Sequence, residues 1–294
     1  MNREHPVAAD REQVVTDKVL ASFAKTADPR LHEVMGSLVR HLHAFARDVR
    51  LTEREWETAI EFLTRAGHIT DDRRQEFILL SDVLGLSMLT VAINEPKEPR
   101  ATEATVFGPF YVDDAPEVPL GGDLARGAVG TPCYVSGRVL SVDGSPIGDA
   151  VLHVWGADDD GFYDVQYSDD HSAGRGWLRV APDGSYRFWT VLPTPYPIPH
   201  DGPVGDLLTA AGRGPMRPAH LHFKAVAPDH RTLITHIFVA GDPYLGDDAV
   251  FGVKDSLVTR AEHHSAGPAP DGSHQQEAWA SMSFDLVLVP EGDR

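Results

Sequence analysis

The chain has 294 residues, 42% hydrophobic and 24% charged, a balance that supports a buried core and excludes a disordered polymer. Its formal charge of -18 repels phosphate backbones and anionic lipid, which leaves small molecules or a second copy of the chain as partners and excludes nucleic acid. No apolar run approaches the roughly 18 residues of a membrane span, and the first thirty residues lack the apolar core of a signal peptide. Cys133 is the sole cysteine, so no intrachain disulfide forms, any metal is bound through nitrogen and oxygen, and a cytoplasmic location is expected.

Before residue 96 helix breakers are scarce, with three of 26 glycines (Gly36, Gly67, Gly85) and two of 22 prolines (Pro6, Pro29). Leu31, Val34, Met35, Leu38, Leu42 and Phe45 recur at helical spacing. Thr52 and Glu55 have the spacing of a capping box ahead of the stripe Trp56, Ile60 and Leu63, and Phe77, Leu80, Leu84 and Met88 make a third stripe. Residues 11–94 are therefore expected to form three or four helices. Their apolar stripes exceed what short helices bury among themselves, which predicts a homodimer through this region.

Further along, short β-rich runs alternate with turn signals such as Asp143-Gly144 and Asp183-Gly184. Strands are expected at Tyr134 to Ser141, Ala150 to Gly156, Gly176 to Ala181, Tyr186 to Val191, His220 to Ala227, Thr232 to Ala240 and near Met282 to Val289. The fold class is mainly β with an α-helical N-terminal region. Residues 1–100 are read as a helical dimerisation and linker region, and 101–294 as an antiparallel β-sandwich catalytic domain. The long Pro-rich connection between Leu192 and His220 exceeds a hairpin and is where a site is expected.

In "RPAHLHFKAVAP" strand alternation puts His220 and His222 on one face with Lys224, and Leu221, Phe223 and Ala225 on the other. That face is either a metal site or a polar surface beside a core. Tyr196, between Pro195 and Pro197, has its backbone restricted on both sides, as suits a phenol that must be aimed or an aromatic packed on a sandwich edge. The loop "ADDDGFYDVQY" leads to Tyr163; its acids lack the order of an EF-hand and read as a solvated turn. Asp164 with the two histidines leaves a metal-dependent hydrolase open, and a non-catalytic sandwich is the bland alternative.

The segments "GFYDVQ", "PYPIPHDGP", "RPAHLHF" and "GDPYLGDDAVFGV", in this order and with Gly108-Pro109-Phe110 upstream, resemble the intradiol ring-cleavage dioxygenases. The resemblance implies ferric iron, Fe(3+), held by Tyr163, Tyr196, His220 and His222, with Tyr196 leaving the metal to take up a substrate proton. Arg217 is assigned to stabilising the negative charge that develops on the ring, since a guanidinium stays protonated even when buried; a salt bridge that only orders the loop is the competing account. His236, where catechol-cleaving relatives carry glutamine, and "PYP" in place of "GYG" point toward the branch that cleaves hydroxyquinol. That branch uses O2 to open benzene-1,2,4-triol to 3-hydroxy-cis,cis-muconate, the enol form of maleylacetate. Matched to it, Leu79, Asp82, Val106, Phe107, Gly108, Ile198, Pro199, His236 and Val250 line the substrate pocket. Asp82, the only acid in "FILLSDVLGLS", is the candidate acceptor for the third hydroxyl, an exposed helix face being the competing account. A catechol or chlorocatechol 1,2-dioxygenase is the nearest alternative.

Overall fold

The computed structural model describes residues 6–71, 74–168 and 171–292. Five helices come first: α1 (Pro6–Ser22), α2 (Pro29–Asp48), α3 (Glu53–Ile69), α4 (Glu76–Val83) and α5 (Leu86–Asn94). The Asp28 side chain caps α2 by accepting from the backbone N–H groups of Arg30 and Leu31, with Pro29 at the first helical position. The expected box opens α3: the Thr52 N–H donates to Glu55 Oε2 at 2.8 Å, and the Glu55 N–H to Thr52 Oγ1 at 3.3 Å. The third apolar stripe becomes two helices, because Gly85 adopts φ 73 and the chain turns there by 75°. Five helices thus replace the expected three or four. Among the described residues no single helix is long and apolar enough to cross a membrane.

The chain divides into two compact units at Thr64 and Arg65, inside α3. In the first, Thr16 joins α1 to α2 through His43 (2.9 Å) and Arg47 (2.9 Å). Gly36 and Val39 are the buried positions of α2, whereas Leu31, Val34, Leu38, Leu42 and Phe45 are exposed. Most of the apolar stripe read from the sequence is therefore exposed among the described residues.

The second unit holds the strands β1 (Pro132–Ser141), β2 (Val151–Trp155), β3 (Arg175–Arg179), β4 (Ser185–Val191), β5 (Tyr196–Pro197), β6 (Met216–Arg217) and β7 (His220–Val226). They are followed by β8 (Leu233–Val239), β9 (Val258–Thr259), β10 (Glu262–His264), β11 (Gly267–Pro268), β12 (His274–Gln275), β13 (Trp279–Ser283) and β14 (Leu286–Leu288). One sheet has the order β10-β13-β1-β14 with β4 also on β1; the other runs β3-β2-β7-β8-β9. Small pairs β5-β6 and β11-β12 complete the set. The sandwich is mixed rather than wholly antiparallel, since β13 and β14 both run parallel to β1, and β9 runs parallel to β8. The single C-terminal strand expected from the sequence is two. At the break Asp285 accepts from the Arg138 N–H at 2.8 Å, and Gly137 makes room for the Phe284 carbonyl, which a Cβ would strike.

The core between the sheets contains Val135 and Val139 of β1, Leu152 and Val154 of β2, Phe188 of β4, and Leu221, Phe223 and Ala225 of β7. An eight-residue helix, α6 (Pro203–Ala210), lies in the Pro-rich connection that the sequence presents only as a loop. Pro203 opens it, and its Val204 N–H donates to Glu76 Oε1 at 3.0 Å, a cap from a residue far away in the chain. Because Leu221 is 1% exposed, Leu221→Ala is expected to cost about 2–5 kcal/mol in chemical denaturation, while Lys224→Ala, on the half-exposed end of the same strand, costs about 1 kcal/mol or less.

Candidate metal centre

The register of the second sheet assembles the histidines. His222 lies opposite Trp155 of β2 on one side and His236 of β8 on the other, and His220 lies opposite Phe238. His220, His222 and His236 are 1%, 2% and 0% exposed, so their face is not a polar surface. Trp155 stacks on the His222 ring at 4.7 Å and 18°. Gly108, at φ 77, crosses close over it, since a Cβ there would lie 3.1 Å from His222 Cε1.

Tyr163 comes from a loop and Tyr196 from the two-residue strand β5. Asp158 is buried and builds that loop: its Oδ1 accepts from the N–H groups of Asp160 (3.1 Å) and Phe162 (2.8 Å), and its Oδ2 from the Tyr167 hydroxyl (2.6 Å). This acid is a structural anchor and not part of a solvated turn. Tyr163 follows, its N–H donating to Gln166 Oε1 at 3.0 Å and its ring stacked on Phe110 at 4.5 Å. Asp164 is buried against Arg175, which also donates to the Phe110 carbonyl at 3.0 Å, so its carboxylate serves the loop and not the histidines. Tyr196 pairs with Arg217 across β5-β6, and Gly161, at φ 83, leaves room for it: a Cβ would come 2.7 Å from Tyr196 Cβ.

Four donor atoms meet. Tyr163 Oη is 2.8 Å from Tyr196 Oη and 2.8 Å from His222 Nε2; Tyr196 Oη is 3.3 Å from His220 Nε2; and the two Nε2 atoms are 3.2 Å apart. Such separations are the edges of a coordination polyhedron with bonds of about 2.0–2.2 Å. His220 Nδ1 lies 2.7 Å from the Pro218 carbonyl, which can only accept, so the ring proton sits there and the Nε2 lone pair faces the centre. Ring nitrogens of His220, His222 and His236 lie within 4.8 Å of one another. His236 Nδ1 accepts from Arg217 Nη2 at 3.2 Å, since guanidinium only donates, and this places the ring proton on Nε2. Two phenols and two imidazoles form a hard nitrogen and oxygen set that fits a non-haem iron.

Burial sets the protonation states. The His220 imidazole is pushed down to about 3 by burial and then by Arg217, and burial also holds His222 and His236 well below the usual imidazole range. Burial raises both phenols; Arg217 opposes this for Tyr196. Arg217 itself is 4% exposed. Burial works against its charge, but Asp248, whose Oδ1 accepts from Nε at 3.1 Å, keeps the guanidinium firmly protonated. Its Nη1 reaches His220 Nε2 at 3.0 Å. Asp248 lies within the segment "GDPYLGDDAVFGV", but nothing in that segment marks it as the partner of Arg217. The carboxylate also accepts from the N–H groups of Val250 (3.3 Å) and Gly252 (2.8 Å), which wraps the loop 248–252 around it.

Of the expected pocket residues, Leu79, Ile198 and Pro199 line a cavity of about 500 Å³ together with Pro109, Phe110 and Phe162, beside the two tyrosines. Asp82, Val106, Phe107, Gly108, His236 and Val250 are not in that lining. Asp82 is nevertheless buried, 3% exposed, on α4; its carboxyl is raised by burial and pulled back by Ser87 and the charge of Arg217. Val106 and Val250 are buried as well, and Phe107 packs on Trp155 at 5.8 Å. A larger cavity, about 620 Å³ between residues 91–105, the start of β8 and β14, contains none of these groups.

Residues 28–102 match the family model described as catechol dioxygenase N terminus, and residues 106–290 the one described as dioxygenase. The chain belongs to the intradiol ring-cleavage dioxygenases. Members of this family work with non-haem iron. A hydroxyquinol 1,2-dioxygenase of Nocardioides simplex is 60% identical over 289 residues, 97% of this chain and 99% of that protein. Among solved structures, a hydroxyquinol 1,2-dioxygenase from Pseudomonas putida DLL-E4 superposes with a TM-score of 0.89 at 44% identity, covering 96% of this chain and 100% of that one. A catechol 1,2-dioxygenase from Pseudomonas arvilla C-1 gives 0.83 at 28%, covering 95% and 92%. As in these intradiol dioxygenases, a helical region precedes a β-sandwich.

The neutral histidines make the metal-free dioxygenase sensitive to acid. Each has a folded-state pKa below its unfolded value of about 6.5, so the unfolded chain binds more protons below that pH and stability falls on acidification, by up to about 1.4 kcal/mol per pH unit for each group. The Tm of chelator-treated protein should therefore drop from pH 7 to pH 5, and His236→Asn should reduce the slope. A Tm that does not change across this interval would contradict neutral buried imidazoles.

Proposed function

We propose that this chain is a hydroxyquinol 1,2-dioxygenase that uses O2 to open benzene-1,2,4-triol between its adjacent hydroxyls, yielding 3-hydroxy-cis,cis-muconate. The reading rests on the convergence of Tyr163, Tyr196, His220 and His222, all buried and linked by four donor separations of 2.8–3.3 Å, together with the relatives of that name. These four residues hold Fe(3+): two phenolates offset its charge, and two neutral imidazoles complete the set. Once bound, the ferric ion supplies the Lewis acidity that chelates the diol and makes its ring reactive toward O2.

The chain's own groups do the rest. Tyr196, which Arg217 faces across β5-β6, would be the residue that gives way to substrate, its phenolate oxygen serving as base for one of the two diol protons. Arg217, kept charged by Asp248 and oriented by His236, is a fixed cation where negative charge grows on the ring. Leu79, Ile198 and Pro199 form apolar walls of the cavity, and Val106, Phe107, Gly108 and Val250, outside that lining, pack behind the site and keep it apolar. Asp82 accepts the hydroxyl that distinguishes the triol from catechol, and without that partner the carboxylate would be buried at a cost. The exposed apolar stripe of α2 and the residues Trp56, Ile60 and Leu63 of α3 favour a homodimer, and the single cysteine favours the cytoplasm. Residues 1–100 serve assembly and residues 101–294 catalysis.

The deciding experiment is the visible spectrum of iron-loaded protein before and after anaerobic hydroxyquinol. A phenolate-to-iron absorption is expected, altered in Tyr163→Phe and in Tyr196→Phe, with iron lost in His220→Ala and His222→Ala but not in His153→Ala. Undiminished colour and iron in all four site variants would refute the ligand set. For the substrate, Asp82→Asn should reduce the hydroxyquinol-to-catechol ratio of kcat/KM about tenfold, as expected for weakening one hydrogen bond to a charged acceptor. A ratio that stays at the wild-type value would assign discrimination to the apolar walls instead.

A further inference from the structure

α4 carries Leu79 and Asp82, and both of its ends are tied to the segment that follows Tyr196. At the start, Glu76 is fully buried, accepts from the Val204 N–H at 3.0 Å and pairs with Arg74 at 3.1 Å. At the other end, the Val83 carbonyl accepts from Arg213 Nη1 at 2.5 Å. Arg213 Nη2 donates in turn to the Ala249 carbonyl at 3.0 Å. Val83 follows Asp82 directly, and Ala249 lies between Asp248 and Val250. A single guanidinium therefore joins the helix that bears the candidate triol acceptor to the loop that holds Arg217.

The surroundings make this joint a built feature. Arg213 is half-buried, its backbone N–H donates to the Leu208 carbonyl at 2.9 Å at the end of α6, and its guanidinium lies 4.8 Å over the Phe251 ring. Phe251 takes the left-handed conformation at φ 60, uncommon for an aromatic residue, and so turns its ring toward Gly85 just beyond α4, where a Cβ would be 3.5 Å from Cδ2. On its other side the loop is fixed independently: the Ala249 N–H donates to the Met216 carbonyl at 3.0 Å, and Asp248 holds Arg217. The end of α4 has no comparable tie to this loop other than Arg213 among the hydrogen bonds described. A planar guanidinium can direct two N–H groups at two carbonyls with their separation set by its own geometry, which an ammonium cannot do.

We propose that Arg213 is a positioning residue for substrate selection, setting the distance between Asp82 on α4 and the loop of Asp248 and Val250. The inference rests on the reading of Asp82 as acceptor of the third hydroxyl. Arg213 meets neither the four converging donors nor Asp82, so its loss changes the fit of the ring edge remote from the metal. The iron site and the chelated diol are left as they were.

The test compares Arg213→Gln, Arg213→Lys and Phe251→Leu with wild type and Asp82→Asn as iron-loaded enzymes. Arg213→Gln is expected to lower the hydroxyquinol-to-catechol ratio of kcat/KM by about five- to tenfold, with kcat/KM for catechol within about twofold of wild type and the visible absorption unmoved. Arg213→Lys reaches one carbonyl at a time and recovers part of the ratio. Phe251→Leu keeps both hydrogen bonds, folds independently of the outcome for Arg213→Gln, and shifts the ratio in the same direction by a smaller factor. An unchanged ratio in the Arg213 and Phe251 variants, with Asp82→Asn still lowering it, overturns the inference and leaves Asp82 standing. A ratio unmoved in all variants removes the Asp82 reading and this inference with it. A changed absorption accompanying the lost ratio also overturns it, because the effect is then a general disturbance of the metal site.

Discussion

Alternation along β7 is the constraint from which the site follows. Leu221, Phe223 and Ala225 enter the core of the sandwich, and the pleat then has to turn His220 and His222 to the opposite face. A slip of one residue would bury the imidazoles among the core side chains and turn Leu221 and Phe223 toward the tyrosines, so the same hydrophobic free energy that closes the sandwich fixes the direction of the two proposed metal donors. Cross-strand register then does the local placement, setting Trp155 and His236 on either side of His222.

Electrostatics around this face follow from its dryness. Imidazoles that are buried next to a guanidinium stay neutral, which is the form that donates a lone pair to a metal. Arg217 could not remain in such surroundings alone. Asp248 neutralises it, and the loop 248–252 is folded around that carboxylate through its own backbone N–H groups. The cation is thereby held beside the donor cluster without being free to approach it, a fixed charge that needs little reorganisation when charge develops nearby.

The proposed metal donors and the proposed substrate walls are mounted on different elements. His220 and His222 sit on a sheet whose register is set by many backbone hydrogen bonds. Leu79 and Asp82 sit on a helix of eight residues secured at its ends by Glu76 and Arg213. The fold itself changes little with sequence: the TM-score falls only from 0.89 to 0.83 between a hydroxyquinol and a catechol dioxygenase, while identity to this chain falls from 44% to 28%.

The sequence by itself determined the features written in local periodicity and in contiguous motifs: helices before a sandwich, the capping box at Thr52 and Glu55, the strand that sends two histidines to one face, and a proline-flanked tyrosine in a long connection. Tertiary structure decided whatever depends on residues far apart in the chain. The parallel placement of β13 and β14 on β1 has no period of its own, and α6 was hidden because its N-terminal cap, Glu76, lies over a hundred residues earlier. The Arg217–Asp248 pair, the tie from Arg175 to Asp164 and the buried role of Asp158 were equally invisible, since an acid in a loop reads as solvated until something is seen to cover it. The α2 stripe shows the reverse: its periodicity correctly marked a helix but could not say what the apolar face meets, because a pattern of side chains encodes the need for burial and not the identity of the surface that provides it.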